Sequence, residues 1–237
     1  IVDLTTWNVV ATLFPGDEPT DVVFAGSPQR AFVSVAQENK VVVYDPADLH
    51  ATPITVALRG EDPRSLATDG NRVFVAIFQS GNASTMVPVP SVSNPSGPAG
   101  GVNPPPNTLA GFSPALAAGL PPAPPSVMIV QRNPLGRWLD SAGRDWSSFV
   151  TWNVLDHDVA VLPVSSPSSV SYVSGLRTMD MALTTIPGGR VAVVGTEATN
   201  NIRFEPNLKS TFSRVVMATF DGTSGGSPSV VDLNPQL

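Results

Sequence analysis

Cysteine is absent from the 237 residues, and histidine occurs only at His50 and His157. Without a thiol the chain cannot build a disulfide scaffold, a Cys-ligated zinc site, an iron–sulfur cluster or a covalently attached c-type haem. Two histidines leave little for a multi-histidine metal centre or for copper. Basic residues are also scarce: 13 Lys and Arg against 19 Asp and Glu give a net charge of −6. That balance argues against nucleic acid as the main partner, because phosphate must be neutralised by Lys and Arg. No apolar run approaches the roughly 18 residues that span a bilayer. Charged residues make up only 14%, yet 42% of the chain is hydrophobic, a composition of folded rather than disordered chains.

What is abundant is Val, Ser, Thr, 25 Pro and 19 Gly, which points to β structure with many turns. The first residues, Ile1-Val2-Asp3-Leu4, already alternate as a strand does. They carry no initiator Met, basic segment or apolar h-region, so the expectation is either a mature chain after signal removal or a piece of a longer one.

A repeat organises the chain. Gly16-Asp17-Glu18-Pro19 recurs as Gly60-Glu61-Asp62-Pro63, about 44 residues on. Each is followed by an apolar stretch (Asp21 to Phe24; Ser65 to Ala67), a turn (Gly26 to Gln29; Asp69 to Asn71), and an Arg that opens a strand (Arg30 to Val35; Arg72 to Ile77). Polar loops follow, Gln37 to Lys40 and Gln79 to Asn82, and a third strand, Val41 to Tyr44, continues the first copy. A third copy runs from Met179 through the turn Pro187-Gly188-Gly189 to Arg190–Val194 and the loop Glu197–Asn200. This period fits a four-stranded propeller blade. Trp7 to Leu13 reads as an outer strand, Asp158 to Leu162 and Val170 to Val173 as third and fourth strands, and Val215 to Phe220 and Val230 to Leu233 as their counterparts in the tail. Together they amount to about four blades.

Residues 90 to 149 break the pattern. Pro104-Pro105-Pro106, Pro121-Pro122 and Pro124-Pro125 exclude a regular helix or a central strand and favour extended chain over the surface. Val127 to Val130 and Arg137 to Asp140 read as a hairpin turning at Asn133-Pro134-Leu135-Gly136, placed as the first two strands of a third blade. The expected division is 1–89 blades, 90–126 Pro/Gly-rich insertion, 127–237 further blades.

The copies resemble the YVTN-type β-propeller repeats of bacterial and archaeal surface and secreted proteins. The resemblance rests on Val9 to Leu13, Gly16 to Pro19, Asp21 to Phe24, Ser27-Pro28-Gln29, Arg30 to Val33, Gln37 to Lys40 and Val41 to Asp45. Val194 to Asn201, Arg203 to Leu208 and Asp232 to Pro235 are similar to large secreted proteobacterial members. The resemblance implies an extracellular or periplasmic bacterial protein, commonly part of a longer chain. Some relatives carry c-type cytochrome modules, but no Cys-x-x-Cys-His is present here.

In such a blade the Gly-x-x-Pro loops and the loops after the second strand share one face. Asp17, Glu18, Glu38, Glu61, Asp62 and Glu197 should then ring one rim, with Arg64 and Arg177 near them. Of these, Asp17, Glu18, Glu61, Asp62 and Glu197 are candidate ligands for a hard cation such as Ca²⁺, which takes several oxygens. The plainer alternative is solvated loop charge, and no Asp-x-Asp-x-Asp-Gly spacing is present. Asp156-His157-Asp158 would suit a base or a metal ligand, but neighbours on a strand point to opposite faces, so the three cannot converge; a solvated lead-in to a strand is the plainer reading. Asp21, Ser65 and Asp180 start the inner strands at corresponding places. Trp138 and Trp146 are candidates for stacking on a sugar ring or anchoring a partner, or else close the apolar edge of the hairpin. No nucleophile elbow, P-loop or dinucleotide fingerprint is present.

These observations point to an all-β propeller, whole or partial, with a Pro/Gly-rich insertion. The expected role is a non-catalytic secreted or periplasmic scaffold, its partners being other protein chains or the remainder of a longer polypeptide. Asp21, Glu38, Arg64, Arg177, Asp180, Trp138 and Trp146 form its expected binding face. Two alternatives stand beside it: a propeller enzyme of lactonase or oxidoreductase type with its site at the central channel, and a structural subunit of a cell-surface layer.

Overall fold

The computed structural model describes residues 1–106, 121, 124–176, 179–198, 213–226 and 228–236. Fifteen strands form four antiparallel sheets among these residues. The first blade is β1 (Pro19–Ala25), β2 (Arg30–Val35), β3 (Lys40–Tyr44) and β4 (Ile54–Ala57) in sequence order. The second is β5 (Glu61–Thr68), β6 (Arg72–Gln79), β10 (Val159–Pro163) and β11 (Ser171–Val173). The third is β12 (Met179–Ile186), β13 (Arg190–Ala198), β14 (Ser213–Asp221) and β15 (Ser229–Asp232). A three-stranded sheet, β7 (Ser84–Val87), β8 (Met128–Arg132) and β9 (Trp138–Leu139), is built from the segment between β6 and β10.

That topology moves two elements from their expected places. The strands at 159–163 and 171–173 complete the second blade, with Val159 opposite Ala76 and Leu162 opposite Val73. The hairpin at 128–139 forms as expected, but it pairs with β7 in a sheet of its own instead of opening a blade. The reason lies in β6: Val73 to Ile77 are all buried, and such a strand needs a partner on both edges. Chain from about 80 residues downstream supplies the second one. Residues 7–13 also differ from expectation. They form no strand beyond a single bridge between Val2 and Val9, and Trp7 is 77% exposed.

The three blades stack face to face, with inner strand β1 against β5 and β5 against β12. The period of two in β6 shows how. Val73, Val75 and Ile77 face Phe32, Val41 and Val43 of the first blade. Phe74 and Ala76 face Leu183, Val193 and Phe220 of the third, and Phe74 meets Phe220 edge-on at 6.3 Å. The middle blade is therefore sandwiched, as in a propeller. The first and third blades each have one such neighbour among the described residues. Val22 and Phe24 of β1 point away from it and are 50% and 53% exposed. The segment between β6 and β10 carries its own small core of Val87, Val92, Met128, Val130 and Trp146. No helix among the described residues is long and apolar enough to cross a membrane.

Candidate functional site

The two Gly-x-x-Pro segments take matching backbone, although in the second copy Glu61 to Pro63 already belong to β5. Glu18 and Asp62, third in their loops, both take left-handed backbone, with φ of 57° and 63°. The preceding Gly16 is required: its φ is 141°, and a Cβ there would lie 2.2 Å from Glu38 Oε1. Glu38 accepts from the main-chain N–H of Asp17 at 2.8 Å and from Lys40, which holds its carboxyl below the usual carboxylate range. Gln37 donates to Glu18 at 2.8 Å. Asp62 is nearly buried. Its N–H donates to Asn39 Oδ1, and its carboxylate takes both Nε and Nη2 of Arg64, at 3.1 and 2.8 Å. Arg64 in turn lies 4.6 Å above the Phe78 ring.

Glu18, Glu38 and Asp62 are thus each held by a partner of their own. Glu197 stands apart on β13, gripped by Arg214, which also reaches Asp232. Glu61 is exposed and lines an open cleft of about 310 Å³ with Arg59, Gln79 and Trp152. Among the described residues no three His, Cys, Asp or Glu stand together as a metal group. The two tryptophans separate as well. Trp146 is fully buried, donates to Asp140 at 3.0 Å and meets Phe149 edge-on, so it cannot stack on a ligand; Trp138 is half-buried against it. Closing the hairpin's apolar edge is therefore what this pair does. Arg177 lies outside the described residues.

The inner strands carry the most informative departures. Each has a bulge near its start, between Pro19 and Asp21, between Pro63 and Leu66, and between Asp180 and Ala182. Register then fixes the correspondence. Pro19, Pro63 and Asp180 oppose Val35, Ile77 and Gly195, whereas Asp21 and Ala182 oppose Ser34 and Val194. Asp180 therefore matches the Pro of the loop and not Asp21, which corrects the expected correspondence.

Asp21 and Ser65 act alike as clamps between blades. Asp21 Oδ1 accepts from its neighbour Val22 N–H, and Oδ2 accepts from Leu66 N–H of the next blade at 2.8 Å. Ser65 Oγ accepts from Leu183 N–H of the blade after that, at a longer 3.4 Å. Thr20 and Ser34 both donate to the Arg64 carbonyl. Among the described residues no buried side-chain oxygen or nitrogen at this first seam lacks a partner.

The seam between the second and third blades is different. Asp158 leads into β10 and is fully buried. Its N–H donates to the Val173 carbonyl and its own carbonyl accepts from Ile77 N–H, both at 2.9 Å, which locks it between β6 and β11. Its carboxyl accepts from Ser80 Oγ and from Leu176 N–H at 2.8 Å. Asp180, on β12, is also fully buried, and neither carboxyl oxygen has a hydrogen-bond partner. Burial, with the charge of Asp158 added, pushes Asp180 up to about 9. Burial, with the charge of Asp156 added and the Ser80 bond opposing, pushes Asp158 up to about 7. His157 turns the other way, as alternation requires, with its ring stacked 4.1 Å from Tyr172 and its Nδ1 against the Arg59 carbonyl. A solvated lead-in describes neither Asp158 nor its surroundings. The signal available in the sequence was the two-residue spacing of Asp156 and Asp158, which puts both on one side of an extended chain; the partner, Asp180, comes from another blade.

No protein-family model and no curated protein matches the chain. Solved β-propeller structures overlap with it only loosely. The hydrazine synthase of Kuenenia stuttgartiensis aligns over 95% of this chain and 70% of its own, at 12% identity and a TM-score of 0.27. Dihydro-heme d1 dehydrogenase NirN in complex with DHE aligns over 98% of this chain but 48% of its own, at 15% identity and 0.33. Apo AztD from Citrobacter koseri aligns over 96% and 76%, at 11% and 0.27. At these scores the likeness carries no argument about function, and the fold stands on the sheet topology itself.

Proposed function

We propose that this chain is a scaffold segment of a β-propeller of the YVTN-repeat kind, working outside the cytoplasm within a larger protein or assembly. The observation that carries this reading is the pair of terminal blades. Val22 and Phe24 on β1, and Val194 and Val231 on β13 and β15, are exposed, whereas the equivalent faces of the middle blade are covered. A blade buries one apolar face on each neighbour, and faces left open favour association. Covering a side chain such as Phe24 contributes about 1.5–3 kcal/mol. The location outside the cytoplasm rests on the resemblance of the repeats.

Native mass spectrometry of the 237-residue chain is the test. A particle heavier than the 24.7 kDa monomer, reduced to monomer by Phe24→Ser, is expected. A monomer at all concentrations that unfolds in one cooperative transition overturns the scaffold reading.

A further inference from the structure

We propose that Asp158 and Asp180, together with the Ser80 hydroxyl, form a site for a hard divalent cation at the seam between the second and third blades. Both carboxyls are fully inaccessible, and both oxygens of Asp180 lack any protein donor. An isolated buried carboxylate is among the least favourable groups in a protein interior unless a charge or a donor compensates it. Among the described residues the ion pairs involve other acids throughout, and none reaches Asp156, Asp158 or Asp180.

The frame around the two acids is rigid. Asp158 is fixed by main-chain bonds to two strands and by Leu176 N–H on its carboxyl. Asp180 sits at a bulge opposite Gly195, where a Cβ would lie 2.3 Å from the Met179 carbonyl oxygen. Only glycine permits that approach, and it draws the two strands together beside Asp180. A frame that holds two carboxyls at a seam without a donor for one of them is preorganised for a cation. The donor set is oxygen alone, with no thiol or imidazole, which selects the calcium and magnesium class over zinc or copper. Two carboxylates balance one divalent charge, Ser80 adds a neutral oxygen, and water completes the shell. Asp156 adds negative charge beside Asp158. This site is separate from the rim acids Asp17, Glu18, Glu61 and Asp62, and it does not depend on the scaffold reading.

The test is thermal unfolding of the whole chain in chelator, then with CaCl₂ or MgCl₂. At about 100-fold excess over Kd, one bound ion should raise Tm by about 5–10 °C. The two salts distinguish which ion the site prefers. Asp180→Asn should abolish the shift, while Glu61→Gln at the rim should leave it intact. Calorimetric titration of the unmodified chain should show one equivalent bound, weakened several-fold by Ser80→Ala, which keeps the test alive if Asp180→Asn does not fold. The proposal is overturned if neither salt shifts Tm, if the shift survives in Asp180→Asn, or if Glu61→Gln removes it. Each of these readings is independent of particle mass, so failure here leaves the scaffold reading standing, and the reverse.

Discussion

The two seams of the blade stack are built from the same repeat and satisfied differently. At the first, the buried acid and the groups that cross the seam are bonded: Asp21 takes Leu66 N–H, Asp62 takes Arg64, and Thr20 and Ser34 close on the Arg64 carbonyl. At the second, the far end is equally well tied. Asp69 holds Arg72, which donates to the Gly222 carbonyl and to Thr223 of the third blade, above the Phe74–Phe220 contact. Its loop end is where Asp158 and Asp180 lie buried without a cation side chain among the described residues. A repeat that repairs each polar group at one seam and leaves one unrepaired at the next has departed from its own rule locally, and such departures mark functional positions more often than errors of packing.

Removing Arg64 should break the contrast most strongly. Arg64→Ala strands the nearly buried Asp62 carboxylate and uncovers Phe78. Loss of one partner of a fully buried pair costs about 3–5 kcal/mol. Because Arg64 is 40% exposed, we expect about 2 kcal/mol here, a fall in Tm of about 4–8 °C in a melting curve. Asp21→Ala comes next. It leaves Leu66 N–H without its acceptor at the bulge, for about 1–1.5 kcal/mol by urea denaturation, whereas Asp21→Asn keeps an acceptor oxygen and should recover most of that. Equal losses for Ala and Asn would show that the Asp21 bond does not clamp the seam.

The strands of the repeated copies are legible in the sequence because turn chemistry and alternation are local. Gly16, Asp69-Gly70-Asn71 and Gly188-Gly189 announce their turns, and Val73 to Ile77 announces a buried strand. The split of the second blade was not legible, since nothing in Val159 to Pro163 says which strand it joins; that is decided by the empty edge of β6, far earlier in the chain. The repeat shows the rim acids but not their cations: no spacing ties Arg64 to Asp62 or Arg214 to Glu197. The buried acid pair is hidden for a similar reason. Asp180 looks like one more inner-strand start until the bulge between it and Ala182 shifts the register, and Asp158 looks like solvated charge until the fold locks it, buried, between β6 and β11.

The far end of the second seam should answer to acid. Burial raises the Asp69 carboxyl, but main-chain bonds from Arg72 and Asn71 and the Arg72 guanidinium outweigh it, so its pKa lies below the ordinary 3.8. A depressed folded-state value contributes stability above the unfolded value and loses it as pH falls through the folded one. Stability measured by urea midpoint should therefore fall as pH drops below about 4, and Arg72→Ala should flatten that fall by less than about 1 kcal/mol. An unchanged acid slope in Arg72→Ala would place the acid sensitivity elsewhere.

The smallest expected loss is the most discriminating. In chelator, Asp180→Asn exchanges a carboxyl that no protein group bonds for an amide of the same shape. No hydrogen bond is lost and the penalty on a carboxyl buried without a partner is relieved, so at neutral pH stability in chelator should not fall. The same exchange at the first seam, Asp62→Asn, loses the charge that Arg64 brackets and should cost more. Two aspartates of similar burial in the same stack would then differ because one is held by the protein and the other is kept for something the protein does not supply. If Asp180→Asn instead costs as much as Asp62→Asn in chelator, Asp180 is a structural acid like its counterpart, and the difference between the two seams disappears.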